Sequence, residues 1–251
     1  RVAASTGLHD RPLHHRGRDA DDNRSVFQSH PLPTFNLEVK QGHHSSPADN
    51  ALAIMSEDRL VIDVIDNGGQ WTHREWRMLR YLGVDTKIFS NKSALEDLRE
   101  LDGLILSGGA ARVGLSGELG NCADFLGLKI PILGICAGHQ FMAGFYGGKS
   151  VEAPAPEFGA ASIELHDGGG QLFADTPDVQ IVWESHNDEV KDVPAGFQIT
   201  ASSKSCHVQA MENDLGDRFG LQFHPEVNDS EYGAKIFENF VSICERARRA
   251  R

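Results

Sequence analysis

Two short motifs carry the residue types that covalent catalysis requires, and the first of them presents a cysteine. The sequence G-x-C-x-G at 134–138 follows an apolar run and precedes a stretch compatible with a helix. In such a turn the small neighbours let backbone segments pass closely, and the helix N-terminus favours a thiolate over a thiol. We therefore predict that Cys136 is a nucleophile. The other three cysteines lack this setting and are expected to be buried structural thiols: Cys122, Cys206 and Cys244.

A base for this thiol is available far along the chain, in the second motif. His224-Pro225-Glu226 comes directly after a predicted strand. His224 could exchange a proton with the sulfur, while Glu226 accepts a hydrogen bond from the other ring nitrogen and fixes the tautomer. The sequence therefore predicts a catalytic triad of Cys136, His224 and Glu226.

Acyl transfer by such a triad also needs donors for the developing oxyanion. Ser107-Gly108-Gly109 ends another predicted strand and can present backbone N–H groups beside the N–H of Ala137. The loop lacks the Gly-Lys-Ser/Thr ending of a phosphate-binding P-loop, so we assign no nucleotide to it.

The elements that would position these residues follow a βαβ order from about residue 59. The run at 60–65 is β-branched and nearly continuous, as in a parallel strand covered on both faces. Apolar residues at spacing three predict a helix over 72–82, and a capping-box pattern at 93–96 predicts another. Further strands are predicted at 86–89, 103–106 and 131–135, and a helix at 137–145.

The second half of the chain is richer in strands, with no long helix until a final amphipathic one from 231 to about 248. The predicted fold is a three-layer α/β domain with a mostly parallel central sheet, flanking helices and a partly antiparallel second half. Active sites in such folds lie at the carboxyl ends of the strands. Strands are predicted at 162–165, 180–183, 198–201, 208–211 and 219–223.

Residues 1–54 differ in composition from the rest. They hold six of the twelve histidines but only 11 Val, Ile, Leu or Phe residues, too few to offset chain entropy by burial. We predict that 1–54 is a disordered extension or, because the first methionine is Met55, misassigned upstream translation, and that 55–251 is the catalytic domain. The histidine pairs at 14–15 and 43–44 lack cysteine or carboxylate at ligand spacing, so we assign no metal site.

Charge and cysteine usage exclude several function classes. The formal net charge of -12 opposes binding to nucleic acid or anionic lipid. No apolar run approaches the roughly 20 residues that span a bilayer, and the first residues carry no apolar signal block. Four cysteines without a C-x-x-C pair fit a reducing compartment. We expect a cytoplasmic protein that binds neither nucleic acid nor membrane.

The motifs at 107–109, 134–140 and 224–226, in this order, resemble those of class I (triad-type) glutamine amidotransferases, from about residue 59 to the end. The resemblance implies a glutaminase in which the cysteine attacks the carboxamide carbon of glutamine and the histidine protonates the departing ammonia. Water then hydrolyses the γ-glutamyl thioester. Gln140 and the Gly108 and Gly109 backbone would hold the substrate. Ala110 stands where many members of the family have proline, and Ala137 stands where many have a bulkier residue. Neither difference removes an N–H group that the chemistry needs.

The stretches 66–70, 185–190 and 224–233 are similar to the glutaminase units of GMP synthases, especially the free-standing archaeal subunits. This resemblance implies that Ser185, His186 and Asp188 contact the substrate or signal between subunits; an ordinary polar loop is the alternative.

The same resemblance implies a partner protein. The chain lacks the Ser-Gly-Gly-x-Asp-Ser loop of an ATP-pyrophosphatase domain. We therefore expect no cofactor in this chain, and a separate synthetase subunit that binds ATP, Mg²⁺ and XMP and receives the ammonia. The alternatives are the glutaminase subunit of an anthranilate or aminodeoxychorismate synthase, a stand-alone γ-glutamyl hydrolase, and an inactive binding protein.

Overall fold

A computed structural model describes residues 59–251 of the protein. The predicted extension at 1–54 lies outside the described residues, as does the start of the predicted domain 55–251, so both boundaries stay predictions. Within 59–251, every helix is too short or too polar to cross a membrane.

The described strands form one mixed sheet in the order β2-β1-β3-β4-β9-β8-β7-β5-β6. In this sheet order, the neighbouring strands β2, β1, β3, β4 and β9 pair in parallel, and the strands from β9 to β6 at the other edge pair antiparallel. The partly antiparallel second half that the sequence predicted is therefore present. The strands are β1 (Ile62–Asp66), β2 (Ile88–Ser90), β3 (Gly103–Leu106), β4 (Ile132–Ile135), β5 (Lys149–Leu165), β6 (Val179–Asp192), β7 (Phe197–Ser203), β8 (Ala210–Asn213) and β9 (Arg218–Leu221). The helices are α1 (Thr72–Tyr81), α2 (Val113–Ser116), α3 (Cys122–Leu126), α4 (Ala137–Phe145) and α5 (Gly233–Ala250).

Helices cover both faces of the parallel strands, so the predicted three-layer architecture is confirmed. One apolar cluster joins β1 residues such as Val64 to Leu79 of α1 and Phe240 of α5. A second cluster on the opposite face joins Leu104 of β3 to Phe125 of α3. Because both faces are buried, successive residues of these strands are apolar, and this explains the continuous runs in the sequence.

The prediction of a helix from the capping-box pattern at 93–96 is wrong. The chain forms a single 3-10 turn at Leu95–Asp97, in which Asp97 Oδ2 accepts the N–H of Ala94 at 2.9 Å. No residue of this turn is buried. Without apolar packing, a capping contact does not offset the cost of starting a helix.

The β5–β6 hairpin is much longer than the predicted strands at 162–165 and 180–183. Polar residues and two prolines obscure the strand pattern in the first part of β5, and its register shifts between Glu152 and Glu157. The hairpin includes the stretch 185–190, which therefore belongs to a strand rather than to a polar loop.

Candidate active site

Cys136 lies at the corner between β4 and α4, in a backbone conformation that is unusual for a side-chain-bearing residue. Its φ is 49° and its ψ is -105°. Both flanking glycines are required by close backbone contacts: a Cβ on Gly138 would lie 2.2 Å from the Leu106 carbonyl oxygen, and one on Gly134 would lie 2.7 Å from the Gly138 carbonyl. The G-x-C-x-G pattern thus follows from how tightly β3, β4 and α4 pass one another.

Cys136, His224 and Glu226 come together at the carboxyl end of the sheet, and all three are buried. His224 Nδ1 lies 2.7 Å from Glu226 Oε1, and the Cys136 side chain lies close enough to the ring to raise its pKa. The backbone N–H groups of Cys136 and His224 donate to the carbonyls of Leu221 and Trp183, at 2.7 and 2.9 Å. The ends of β4 and β9, together with the middle of β6, therefore hold the Cys136 and His224 side chains together.

The electrostatic surroundings of His224 favour its charged form. Burial alone lowers the pKa of the ring, but the charge of Glu226 and the contact with Cys136 outweigh it, so the pKa of His224 is well above its usual value. The imidazolium can therefore stand beside a thiolate and later donate its proton to a leaving group. The edge of the Trp71 ring, centred 4.4 Å away, packs against this imidazole.

The glycine loop lies directly against the triad. A Cβ on Gly108 would stand 2.9 Å from His224 Cε1 and 3.5 Å from Cys136 Cβ. Asn67 holds the loop: its N–H donates to Ser107 Oγ at 3.1 Å and its Nδ2 to the Ser107 carbonyl at 2.7 Å. Gly109 packs on the Asn67 backbone so closely that a Cβ there would lie 2.3 Å from the carbonyl oxygen. The 66–70 stretch thus braces the loop.

A cavity of about 380 Å³ opens above these groups, and most of the predicted substrate-binding residues line it. Its volume suits a small metabolite. Ala137 does not line the cavity; it is the buried first residue of α4, where backbone N–H groups lack helical partners. The predicted lining residues are Gly108, Gly109, Gln140, Ser185, His186 and Asp188.

One wall of the cavity is held by Asp188. Its backbone oxygen accepts from Gln140 Nε2 at 2.6 Å, and its carboxylate accepts from Arg112 Nε at 2.8 Å and from the Gly114 N–H at 3.0 Å. Arg112, which also pairs with Glu152 at 3.1 Å, lines the cavity and was not predicted. Nothing in its local sequence marks it.

Ser185 and His186 approach the site in different ways. The Ser185 carbonyl oxygen lies 3.9 Å from Cys136 Sγ. The His186 ring is buried, with Nδ1 3.0 Å from the Asp188 carbonyl and Nε2 3.0 Å from Glu157 Oε2. Both ring nitrogens therefore face protein oxygens.

Sequence reasoning also missed other residues of the cavity wall, among them three with large side chains. Trp71 and Glu75 come from the start of α1, and the exposed Phe158 comes from β5. Burial, followed by the charge of Glu226, raises the pKa of Glu75 well above its usual value. Glu75 sits at a helical spacing that predicts a buried face, but no local pattern connects it with the triad.

The three cysteines that were predicted to be structural are buried free thiols. Burial raises the pKa of Cys122 to about 12, and it also raises the pKa values of Cys206 and Cys244. Such thiols are poor nucleophiles at neutral pH.

Comparison with known proteins identifies the family. The class-I glutamine amidotransferase family matches residues 63–244. A protein of Thermoplasma volcanium that is named as one of the subunits of a glutamine-hydrolysing GMP synthase is 44% identical over 189 residues, which cover 74% of this chain and 93% of that protein. The chain belongs to the class-I glutamine amidotransferases.

This amidotransferase is also similar to the GMP synthase protein of the same name from Haloarcula marismortui, with 41% identity over 190 residues that cover 76% of this chain and 98% of that protein. The crystal structure of a Thermoplasma acidophilum protein assigned to the same type of GMP synthase subunit has a TM-score of 0.73 and 44% identity, and covers 76% of this chain and 97% of its own. The family resemblance and the fold class predicted from the sequence are confirmed.

Proposed function

We propose that the protein is the glutaminase subunit of a two-subunit GMP synthase. The observation that carries the proposal is the arrangement of Cys136, His224 and Glu226 at a strand-to-helix corner, beside a braced glycine loop. The relatives named as GMP synthase subunits match nearly their whole length to this chain, which supports the choice of reaction.

The chemistry follows from the geometry of the site. The Cys136 thiolate attacks the carboxamide carbon of glutamine, and N–H groups of Gly109 and Ala137 stabilise the oxyanion. The His224 imidazolium gives its proton to the leaving nitrogen, so ammonia departs and a γ-glutamyl thioester remains. Water, deprotonated by His224, hydrolyses the thioester to glutamate. Glu226 holds the ring in orientation throughout.

Gln140 and the Asp188–Arg112 wall shape the part of the cavity that would hold the rest of the glutamine. The paired charges of Asp188 and Arg112 lie at the cavity wall, where a zwitterionic amino acid would meet complementary charges. Ser185 presents its carbonyl beside the sulfur.

The ammonia is used by a separate synthetase subunit, which binds ATP, Mg²⁺ and XMP and forms GMP. The relatives are named as single subunits of the synthase and align over nearly their whole length with this chain, which supports a divided enzyme. The isolated chain should hydrolyse glutamine slowly until the partner and its nucleotides are present.

Reconstitution tests the proposal. The chain is mixed with a separately expressed GMP synthase synthetase subunit, ATP, Mg²⁺, XMP and glutamine, and GMP formation is measured. We expect Cys136→Ala to reduce glutamine-dependent synthesis by about 10⁴-fold or more. Synthesis from added ammonium salt should be unchanged, because it bypasses the thioester.

Each alternative gives a different result in this assay. A stand-alone hydrolase would show full glutaminase activity that the synthetase subunit leaves unchanged. The glutaminase of an anthranilate or aminodeoxychorismate synthase would fail to support GMP formation while ammonium salt still did. An inactive binding protein would release no glutamate under either condition.

A further inference from the structure

A second cluster of reactive side chains lies on the buried face of the β5–β6 hairpin, and the proposed glutaminase chemistry does not use it. Ligand atoms of Glu157, His186 and Cys206 all lie within 4.8 Å of one another. A set of oxygen, nitrogen and sulfur donors is typical of zinc and related transition-metal sites. Ligand atoms around a tetrahedral zinc ion are about 3–4 Å apart, so small side-chain rotations would bring these three to bonding distance.

The hydrogen bonds of His186 orient its ring as in a metal site. Nδ1 faces the Asp188 carbonyl at 3.0 Å, which can only accept, so Nδ1 carries a proton. Nε2 then points at Glu157 Oε2, at 3.0 Å, and at Glu184 Oε2, at 3.4 Å. A backbone carbonyl that accepts from one ring nitrogen is the contact that orients metal-binding histidines, and here it leaves Nε2 facing two carboxylates, between which an ion could lie.

Glu184 is an independent indication that a cation belongs here. Its side chain is fully buried, and within residues 59–251 neither of its carboxylate oxygens accepts a hydrogen bond of standard geometry. Glu189 Oε2, whose carboxylate neighbours Cys206, and Gln209 Oε1 are likewise buried without partners in this part of the chain. Buried acceptors without donors are costly. Among the described residues, this cluster has more acceptor oxygens than protons to satisfy them.

Charge leads to the same conclusion. The carboxylates of Glu157, Glu184 and Glu189 lie around a single imidazole ring, so the cluster is acidic and a divalent cation would offset part of its negative charge. Glu157 is also held in place by donors, namely Ser203 Oγ at 3.0 Å and Gln209 Nε2 at 2.8 Å. Such outer hydrogen bonds are what keep a ligating carboxylate oriented.

We propose that this cluster binds one divalent transition-metal ion of the zinc class, with Glu157, His186 and Cys206 as ligands and Glu184 completing the set. On binding, the Cys206 thiol and the His186 Nε2–H each release a proton to solvent, so that the sulfur coordinates as thiolate and the imidazole through Nε2. The ion ties β5, β6 and the segment after β7 together. It therefore stabilises the part of β6 that carries Ser185 past the catalytic cysteine.

Metal titration of the full chain tests this proposal without any activity assay. The purified protein is treated with a chelator, dialysed and titrated with Co²⁺, and the charge-transfer absorption of a cobalt–thiolate bond is followed. We expect saturation at one Co²⁺ per chain, displacement by Zn²⁺, and a higher melting temperature. The histidine pairs at 14–15 and 43–44 can bind cobalt but contain no thiol, so they do not produce this band.

Two matched variant pairs decide the outcome. Cys206→Ser should abolish the band, whereas Cys122→Ser, which alters a buried thiol bonded to Asn67, should keep it. Glu184→Gln should weaken Zn²⁺ binding at least tenfold in chelator competition, whereas the exposed Glu164→Gln on β5 should not. If no band forms, if it survives Cys206→Ser, or if both glutamate variants bind Zn²⁺ equally, the proposal is overturned. His186 would then be an imidazolium bridging carboxylates. The glutamate pair also decides the question if Cys206→Ser does not fold.

Discussion

His224 carries a pKa that its neighbours set, and Glu226 is the main favourable cause. Glu226→Gln keeps the shape of the side chain but removes its charge. The pKa of His224 should fall, so the ring loses its proton at lower pH and can no longer protonate the leaving nitrogen. We expect kcat for glutamine hydrolysis to fall by about 10²-fold or more, with the alkaline limb of the pH profile moved to lower pH.

The measurement is the pH profile of kcat/KM in the presence of the synthetase subunit. Glu238→Gln, on the exposed side of α5, is the matched control and should leave the profile unchanged. If Glu226→Gln lowers kcat/KM but leaves the alkaline limb of the pH profile where it is, the role of Glu226 in raising the pKa of His224 is contradicted.

Glu75 should make the stability of the protein depend on pH. Its pKa is raised in the folded state, first by burial and then by the charge of Glu226. Above the usual pKa of about 4.5, the Glu75 carboxyl is ionised in the unfolded chain but still protonated in the native state. The free energy of unfolding therefore falls by about 1.4 kcal/mol per pH unit until the pH reaches the pKa of the native state. Glu75→Gln removes this loss.

Urea unfolding of both proteins at pH 5 and pH 7.5 checks this expectation. The free energy of unfolding of Glu75→Gln, relative to the wild type, should be larger at pH 7.5 than at pH 5 by about 1 kcal/mol or more. An equal difference at both pH values would show that Glu75 is ionised in the native state.

At the scale of elements, the approach of α4 to β3 positions the cysteine. Gly138→Ala places a Cβ 2.2 Å from the Leu106 carbonyl oxygen, and because both partners are backbone the helix must shift. We expect a loss of about 2 kcal/mol or more in unfolding free energy and a loss of glutaminase activity, since Cys136 moves with the helix.

Gly144→Ala is the control on the same helix. Within the described part of the chain nothing lies within 4 Å of a Cβ at Gly144, so alanine should stabilise α4 by about 0.5–1 kcal/mol and leave the activity intact. Thermal melts and glutamate release report both effects. Equal stability of the two variants would show that the close contact at Gly138 is unimportant.

At the scale of the molecule, the catalytic unit should be independent of residues 1–54. The family match covers 63–244, and the relatives align over nearly their full length. We propose that a chain beginning at Met55 retains the melting temperature and the glutaminase activity of the full chain. A clear drop in either quantity would show that 1–54 is a working part of the protein. Abundant peptides from 1–54 in mass spectrometry of the native protein would refute only the hypothesis of misassigned upstream translation.

Much of the fold could be predicted because its signals are local. The apolar run at β1, the elbow at Cys136 and the stripe of α5 each depend on residues that are neighbours in sequence or one helical turn apart. The helix predicted at 93–96 failed because its capping pattern is local but the burial that sustains a helix is not. The length of the β5–β6 hairpin was underestimated for a related reason. Alternate residues of its strands face a packing surface that comes from other parts of the chain, which the local sequence does not show.

Local sequence was enough to predict the strand-to-helix corner at Cys136, the contact between His224 and Glu226, and the glycine loop, since each is a short motif whose spacing encodes its own geometry. The folded chain was needed to show that His224 meets Cys136, that Glu75 is buried near Glu226, and that Glu157, Glu184, His186 and Cys206 converge. These neighbours come from strands and loops that are distant in the chain. Their separation in space depends on sheet order and strand register, which are set by packing of the whole core rather than by any local pattern.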